Sequence, residues 1–426
     1  MLTNSNKISV KTFFEGIVAF SFALRAISYV WLAFSSSVYG MPWYSIFINL
    51  NLYLSAIIGV FYLFTQKKLD SNNFLYLIPL IIFFLFHVFH TFGGYSGSYI
   101  HELLAIGSFV LFSREMKIKT FKAFSVILII CNSISLILYF LNIFGYKGFE
   151  EVIFYSDGLR MGTYKKWFIF ALLNDSSVLT RLCGIFNEPG GLGTVTALVF
   201  AATYKKIKGF WSFVLLLSII FSFSMAGYLL IFVFLAFHLG KRNKLNYVWI
   251  GLVIGLFLLV PTIDWGNEKI NYFVQRFAFQ DGHLVGDNRI TTSFMTDFYQ
   301  MLESNDMLFG KGVTYTAASG NSSWLNIIME LGVMGSLLFV GTWVFAYIKN
   351  SSKNKDCILL LIVFLLSLYQ RPWTISNSYG YVVMIGAQAL LMNSDSYVYV
   401  FCKKRHKRMP YSRFPYQSSY PLVEQK

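Results

Sequence analysis

Long apolar runs alternate with short polar interruptions along nearly the whole chain. The longer runs reach about twenty residues, the length of a helix that crosses a bilayer. The pattern predicts twelve spans, at roughly 13–34, 43–65, 74–92, 99–113, 121–145, 188–204, 209–225, 227–240, 246–263, 323–348, 356–370 and 378–393. The fourth and eighth are short, and only a brief break separates the seventh from the eighth. A transmembrane barrel would show alternating segments of about ten residues instead. The expected fold class is an all-α integral membrane protein with about 12 transmembrane helices. No small-residue cleavage site follows the first span, so it is not read as a removed signal peptide.

Charge orients the spans. One set of interruptions holds Lys7 and Lys11; Lys67 and Lys68; Arg114, Lys117, Lys119 and Lys122; Lys205, Lys206 and Lys208; Lys241, Arg242 and Lys244; and Lys349, Lys353 and Lys355. With the C-terminal tail, this set carries 24 of the 35 basic residues, against ten in the opposite loops. Basic loops stay in the cytoplasm, so both termini are expected there. Residues 1–402 then form one polytopic membrane unit. Residues 403–426 form a basic cytoplasmic tail suited to anionic headgroups. Two long loops, about 146–187 and about 264–322, face outward. They hold 12 of the 20 acidic residues, counting Glu188 at the edge. Long loops of this kind are usually functional. Ile270, Phe273, Val274 and Phe277 fit one helical face, as do Ile290, Phe294, Phe298 and Leu302. Trp167 to Leu173 suits the membrane interface. Both loops are read as folded caps.

Composition narrows the class further. The chain is 56% hydrophobic and 13% charged, about half the charge of a soluble protein. That excludes a soluble multidomain enzyme and excludes disorder. The net charge of +15 falls in short clusters between spans and does not indicate nucleic acid. Cys131 and Cys357 lie in spans, Cys402 is cytoplasmic and Cys183 is alone outside, so no disulfide framework is implied. There is no Walker A, GxGxxG, HExxH, DxD or metal-spaced Cys/His pattern. No cofactor and no metal are expected.

The remaining chemistry lies at the outer ends of spans. Arg181, Gly184, Asn187, Glu188, Pro189, Gly190, Gly191 and Gly193 close the first long loop and open the sixth span. Glycines let backbone amides approach a ligand, a helix start favours an anion, and Arg181 offers a fork suited to phosphate oxygens. The competing reading is a tight turn with Arg181 reaching to headgroups. Asp287, Asn288 and Arg289 precede an amphipathic segment that ends at Gly310-Lys311-Gly312, where Asp287 is equally a helix cap. Asn321, Ser322 and Ser323 lead into Glu330, Gly332 and Gly335 on the tenth span. Asn321 suits a cap or a sugar ligand. Glu330 suits a bond to a neighbouring helix, and Gly332 and Gly335 suit close helix approach. Arg25, His87, His90, His101 and Glu102 lie within spans, where a charge needs a partner; Arg25 can pair with Glu102. Arg371 beside Trp373 suits phosphate, sugar stacking or an interface anchor.

Three of these patterns, in this order on twelve spans, resemble the O-antigen polymerase (Wzy) family and the related O-antigen ligases. They are Arg181, Gly184 and Pro189; Arg289 before Gly310 and Gly312; and the polar turn leading to Glu330, Gly332 and Gly335. Together they cover about a sixth of the chain. The resemblance implies a glycosyltransferase of the bacterial inner membrane, acting on its periplasmic face. It would join oligosaccharide repeat units carried on undecaprenyl diphosphate, with membrane lipids around it and a chain-length regulator protein among the partners it allows. Arg181 and Arg289 would stabilise the leaving diphosphate. Gly190, Gly191, Lys311, Asn321 and Arg371 would line the substrate. Ligases carry a histidine where this chain has Asn321, which favours polymerase over ligase and leaves the proton acceptor to Glu188, then Asp287, then His283. A lipid-linked oligosaccharide flippase is the alternative from another class.

Overall fold

In the computed structural model, residues 10–31, 42–66, 69, 71–90, 98–156, 160–175, 179–240, 248, 251, 259–276, 278–280, 283–284, 292–312, 323–351 and 354–400 are described. The chain is mostly helical. Helices α1 (Val10–Trp31), α2 (Pro42–Thr65), α3 (Leu77–His90), α4 (Ser98–Leu111) and α5 (Arg114–Ile143) precede the first long loop. Helices α6 (Pro189–Thr203), α7 (Gly209–Ser222) and α8 (Met225–Gly240) follow it. The second long loop contributes α9 (Glu268–Gln275), α10 (Thr292–Leu302) and the single turn α11 (Asp306–Phe309). Then come α12 (Leu325–Asn350), α13 (Lys355–Leu368) and α14 (Ser378–Leu391). Two of these, α5 and α12, are long and apolar enough to cross a membrane by length and composition, and shorter apolar helices accompany them. Most of the ninth predicted span lies outside the described residues.

Helix α5 begins seven residues earlier than its apolar run, because Ser113 caps it by accepting from the Met116 amide at 3.4 Å. Its basic first turns therefore belong to the helix. The central element is α6, buried at every position from Pro189 to Thr203. Such all-round burial explains why it has no polar face. It meets α8 closely: a Cβ on Gly227 would sit 2.9 Å from the Gly193 Cα. The short break between the seventh and eighth predicted spans is real. Phe223 adopts left-handed backbone (φ 46°) after α7, and Ser224 accepts from the Gly227 amide at 3.2 Å to start α8.

The first long loop adds strands to a mostly helical chain. It folds as a four-stranded antiparallel meander, β1 (Glu150–Ser156), β2 (Arg160–Trp167), β3 (Ala171–Asp175) and β4 (Thr180–Gly184), in the order β1-β2-β3-β4. The segment expected at the interface, Trp167 to Leu173, is the end of β2, a tight turn at Phe168 and the start of β3. Leu172, Leu173, Leu182 and Cys183 are fully buried, so this sheet packs onto the helices. In the second loop α9 buries Val274 but leaves Ile270 exposed, so their expected common face is not seen, whereas α10 buries Phe294 and Phe298 on one face, as their spacing predicts. Phe277 and Ile290 lie outside the described residues.

Candidate functional site

Strand β4 delivers Arg181 to the start of α6. Gly184 ends the strand with φ 63°, a conformation that suits glycine. The chain turns through Phe186 and reaches Glu188, extended at φ −148°, as the residue before the helix. Pro189 occupies the first helical position, where its missing amide leaves no bond unmade. Glu188 makes no side-chain cap to its own helix. Its carboxylate instead meets the Arg371 guanidinium, Oε1 to Nη2 at 2.6 Å. Arg371 follows α13 and its side chain is 5% exposed, against 29% for Glu188. A charge so buried is tolerated when it is paired.

Arg181 is held separately. Its Nη2 donates to the Phe223 carbonyl at 3.0 Å, the carbonyl exposed by the break between α7 and α8. Burial lowers the Arg181 pKa, and Cys183, Tyr272, Glu188 and Tyr164 act in the opposite direction. Burial likewise raises the Tyr164 hydroxyl and the Cys183 thiol. Glu188 thus pairs with Arg371 and lies within electrostatic reach of Arg181 at the start of α6. Tyr272 of α9 brings the second long loop within electrostatic reach of Arg181. Arg276, just after α9, lies within electrostatic reach of Tyr228, as does Arg181. Arg276, Tyr164, Tyr228 and Tyr272 are absent from the sequence-predicted set. None sits in a glycine turn, and only tertiary folding gathers them.

Gly190 and Gly191 do not offer an open cradle. The Gly191 and Leu192 amides donate to the Glu188 carbonyl at 3.1 and 3.4 Å. Both glycines are buried, and a Cβ on Gly191 would meet the Phe186 ring at 3.3 Å.

The second and third patterns join through backbone. Helix α12 is broken at Gly332 (φ 68°, ψ 179°). The carbonyls freed at the break are taken by the Gly310-Lys311-Gly312 turn: the Lys311 amide donates to Met329 at 2.7 Å and the Gly312 amide to Glu330 at 3.1 Å. Gly332 was expected to permit helix approach; it ends a helix segment and admits a loop. Gly335 does serve approach, with the Phe86 ring against its Cα. The expected bond from Glu330 to a neighbouring helix does not appear among the described residues. Arg25 and Glu102 do form an ion pair, as their span positions allow. Asp287, Arg289 and Asn321 lie outside the described residues, as do the His283 and Trp373 side chains and the tail from 401. Among the described residues no group of His, Cys, Asp and Glu suits a metal ion. Comparison with protein-family models, curated proteins and solved structures finds no match to this chain.

Proposed function

We propose that the protein is a polytopic inner-membrane polysaccharide polymerase of about twelve spans, with both termini cytoplasmic. It transfers a growing glycan from undecaprenyl diphosphate to a second lipid-linked repeat unit on the periplasmic face. The observation that carries this reading is that Glu188, at the start of the buried helix α6, pairs with Arg371 and lies within electrostatic reach of Arg181. An acceptor hydroxyl oxygen attacks the anomeric carbon, and the bond from that carbon to the diphosphate oxygen breaks. Negative charge grows on the departing diphosphate. Guanidinium groups fixed in a poorly solvated site stabilise that charge most in the transition state. Arg289 completes the set in this reading, as the resemblance implies. The hydroxyl proton passes to Glu188, with Asp287 as the alternative acceptor.

The break in α12 favours a second reading as a lipid-linked oligosaccharide flippase, since transporters use interrupted helices as binding sites. Yet the carbonyls of Met329 and Glu330 are already occupied by the Gly310–Gly312 turn. Deleting the protein separates the readings. Loss of a polymerase leaves one repeat unit on the cell surface, and loss of a flippase leaves none. Loss of a ligase leaves completed chains on the lipid carrier. A surface free of repeat units would overturn the polymerase reading.

A further inference from the structure

The turn that carries Arg371 is short and closed. The Arg371 amide donates to Ser367 at 3.0 Å, at the end of α13. The Arg371 carbonyl accepts from the Thr374 amide at 3.2 Å and from its hydroxyl at 2.9 Å. The next helix starts at Ser378, with Asn377 accepting from the Gly380 amide at 3.3 Å. Gly380 lies so close to the turn that a Cβ there would stand 1.8 Å from the Thr374 carbonyl oxygen. A shift at the start of α14 is therefore passed directly to the residues beside Arg371.

That start is held by a buried ionic network from the neighbouring helices α1 and α4. Glu102 of α4 accepts from both the amide and the hydroxyl of Ser378, each at 2.6 Å, through Oε1. Its other oxygen meets the guanidinium of Arg25 on α1, whose side chain is 0% exposed. Arg25 also donates through Nε to the Ser378 hydroxyl at 2.7 Å and through Nη1 to the Ser55 hydroxyl of α2 at 2.9 Å. Its Nη2 stands 2.8 Å from Nδ1 of His101. Helices α1 and α4 thus meet at one residue, Ser378, seven positions after Arg371, and α2 holds Arg25 through Ser55 at another of its side-chain nitrogens. A carboxylate at a helix start is favourable, but burying an ion pair is generally no more stabilising than packing apolar side chains of equal size. What the network adds is direction: hydrogen bonds fix the height and rotation of α14 to a degree that apolar packing does not.

We infer that Arg25 and Glu102 are positioning residues for Arg371, acting through Ser378 and the Arg371–Ile375 turn to set the guanidinium against Glu188. The inference rests on the polymerase reading only for the use made of Arg371. Its test does not require activity. The coupling between Glu188 and Arg371 is measured by a double-mutant cycle on thermal unfolding of the full-length protein in nanodiscs, with Glu188→Gln, Arg371→Gln and both together. The cycle is repeated in an Arg25→Met/Glu102→Leu background. That background removes both buried charges at once and avoids the unpaired ion that a single substitution would leave. If its abundance falls, Ser378→Ala replaces it, since that change deletes only the shared hydroxyl. The expected result is a background that remains folded and in which the Glu188–Arg371 coupling drops to about half or less. Coupling unchanged in either background would overturn the inference, because the pair would then be set without the network. In the same samples, turnover of a synthetic undecaprenyl-diphosphate repeat unit should fall by about tenfold or more with KM held, the mark of a misplaced group that acts in the transition state. Wild-type protein that makes no polymer would defeat the proposed function and leave the coupling result standing.

Discussion

Replacing Gly332 by alanine tests how the second long loop is fastened to the bundle. At φ 68° and ψ 179° the residue occupies a backbone region that is essentially glycine's alone. Holding alanine there costs about 1–3 kcal/mol. The new Cβ would also lie 2.3 Å from the Leu308 carbonyl oxygen and 2.4 Å from the Phe309 amide nitrogen. Those are backbone atoms, so the α11 segment has to withdraw. Withdrawal breaks the two bonds from Lys311 and Gly312 to α12, at about 0.5–1.5 kcal/mol each. The sum is about 2–6 kcal/mol, set against local rather than global opening. Hydrogen exchange of peptides covering 306–312 should accelerate by one to several orders of magnitude, about tenfold per 1.4 kcal/mol. Peptides from α6 should be unaffected. Gly16→Ala is the control, because nothing lies within 4 Å of a Cβ there and alanine favours a helix interior by about 0.5–1 kcal/mol. Unchanged protection at 306–312 in Gly332→Ala would refute the fastening.

Other outcomes follow from the same geometry. Gly227→Ala places a Cβ 2.9 Å from the Gly193 Cα and should cost about 1–3 kcal/mol, read as lower membrane abundance and a lower Tm; normal values would remove the α6–α8 contact from the account. Asp264 accepts from the Gly266 amide and the Asn271 side chain, which hold its pKa below the ordinary 3.8. A depressed carboxylate adds stability that is complete above the ordinary value and is lost as pH falls through the lower, folded one. Asp264→Asn should therefore loosen the 264–271 segment in hydrogen exchange at pH 6 and differ little from wild type well below pH 3.8; a difference independent of pH would contradict this. Polymerisation should survive EDTA, because the proposed leaving-group stabilisation uses guanidinium groups. Activity abolished by chelation and restored by Mg²⁺ or Mn²⁺ would show otherwise.

Helix positions were legible because hydropathy over about twenty residues is a strong, local signal. The runs at 43–65, 209–225 and 378–393 fall within a few residues of α2, α7 and α14. Two features were not legible. The meander at 150–184 mixes charge with apolar residues, and its strands become evident only as β4 packs on α6. The break at Gly332 sits inside a run read as one span despite Glu330, Gly332 and Gly335; it depends on a turn about twenty residues earlier supplying two amides. The site was legible in part. The Arg181 and Glu188 turn was visible as a pattern, and Arg371 as a polar residue beyond a span. That Glu188 faces Arg371 is a relation between positions 183 residues apart, and no local spacing encodes it. The same holds for Arg276 and the tyrosines around Arg181.

The central claim is that Arg181, held at the start of α6, acts with Arg289 to drive glycan transfer from a lipid diphosphate. The most direct measurement is polymerisation of a synthetic undecaprenyl-diphosphate repeat unit by purified protein in liposomes, for wild type and for Ala and Lys at Arg181 and Arg289. The account predicts a ladder of polymers from wild type and none from either Ala variant at equal membrane abundance. It predicts short products from the Lys variants, since an ammonium keeps the charge without the two-pronged geometry. Full-length polymer from Arg181→Ala, or no polymer from wild type supplied with its own repeat unit, would contradict it.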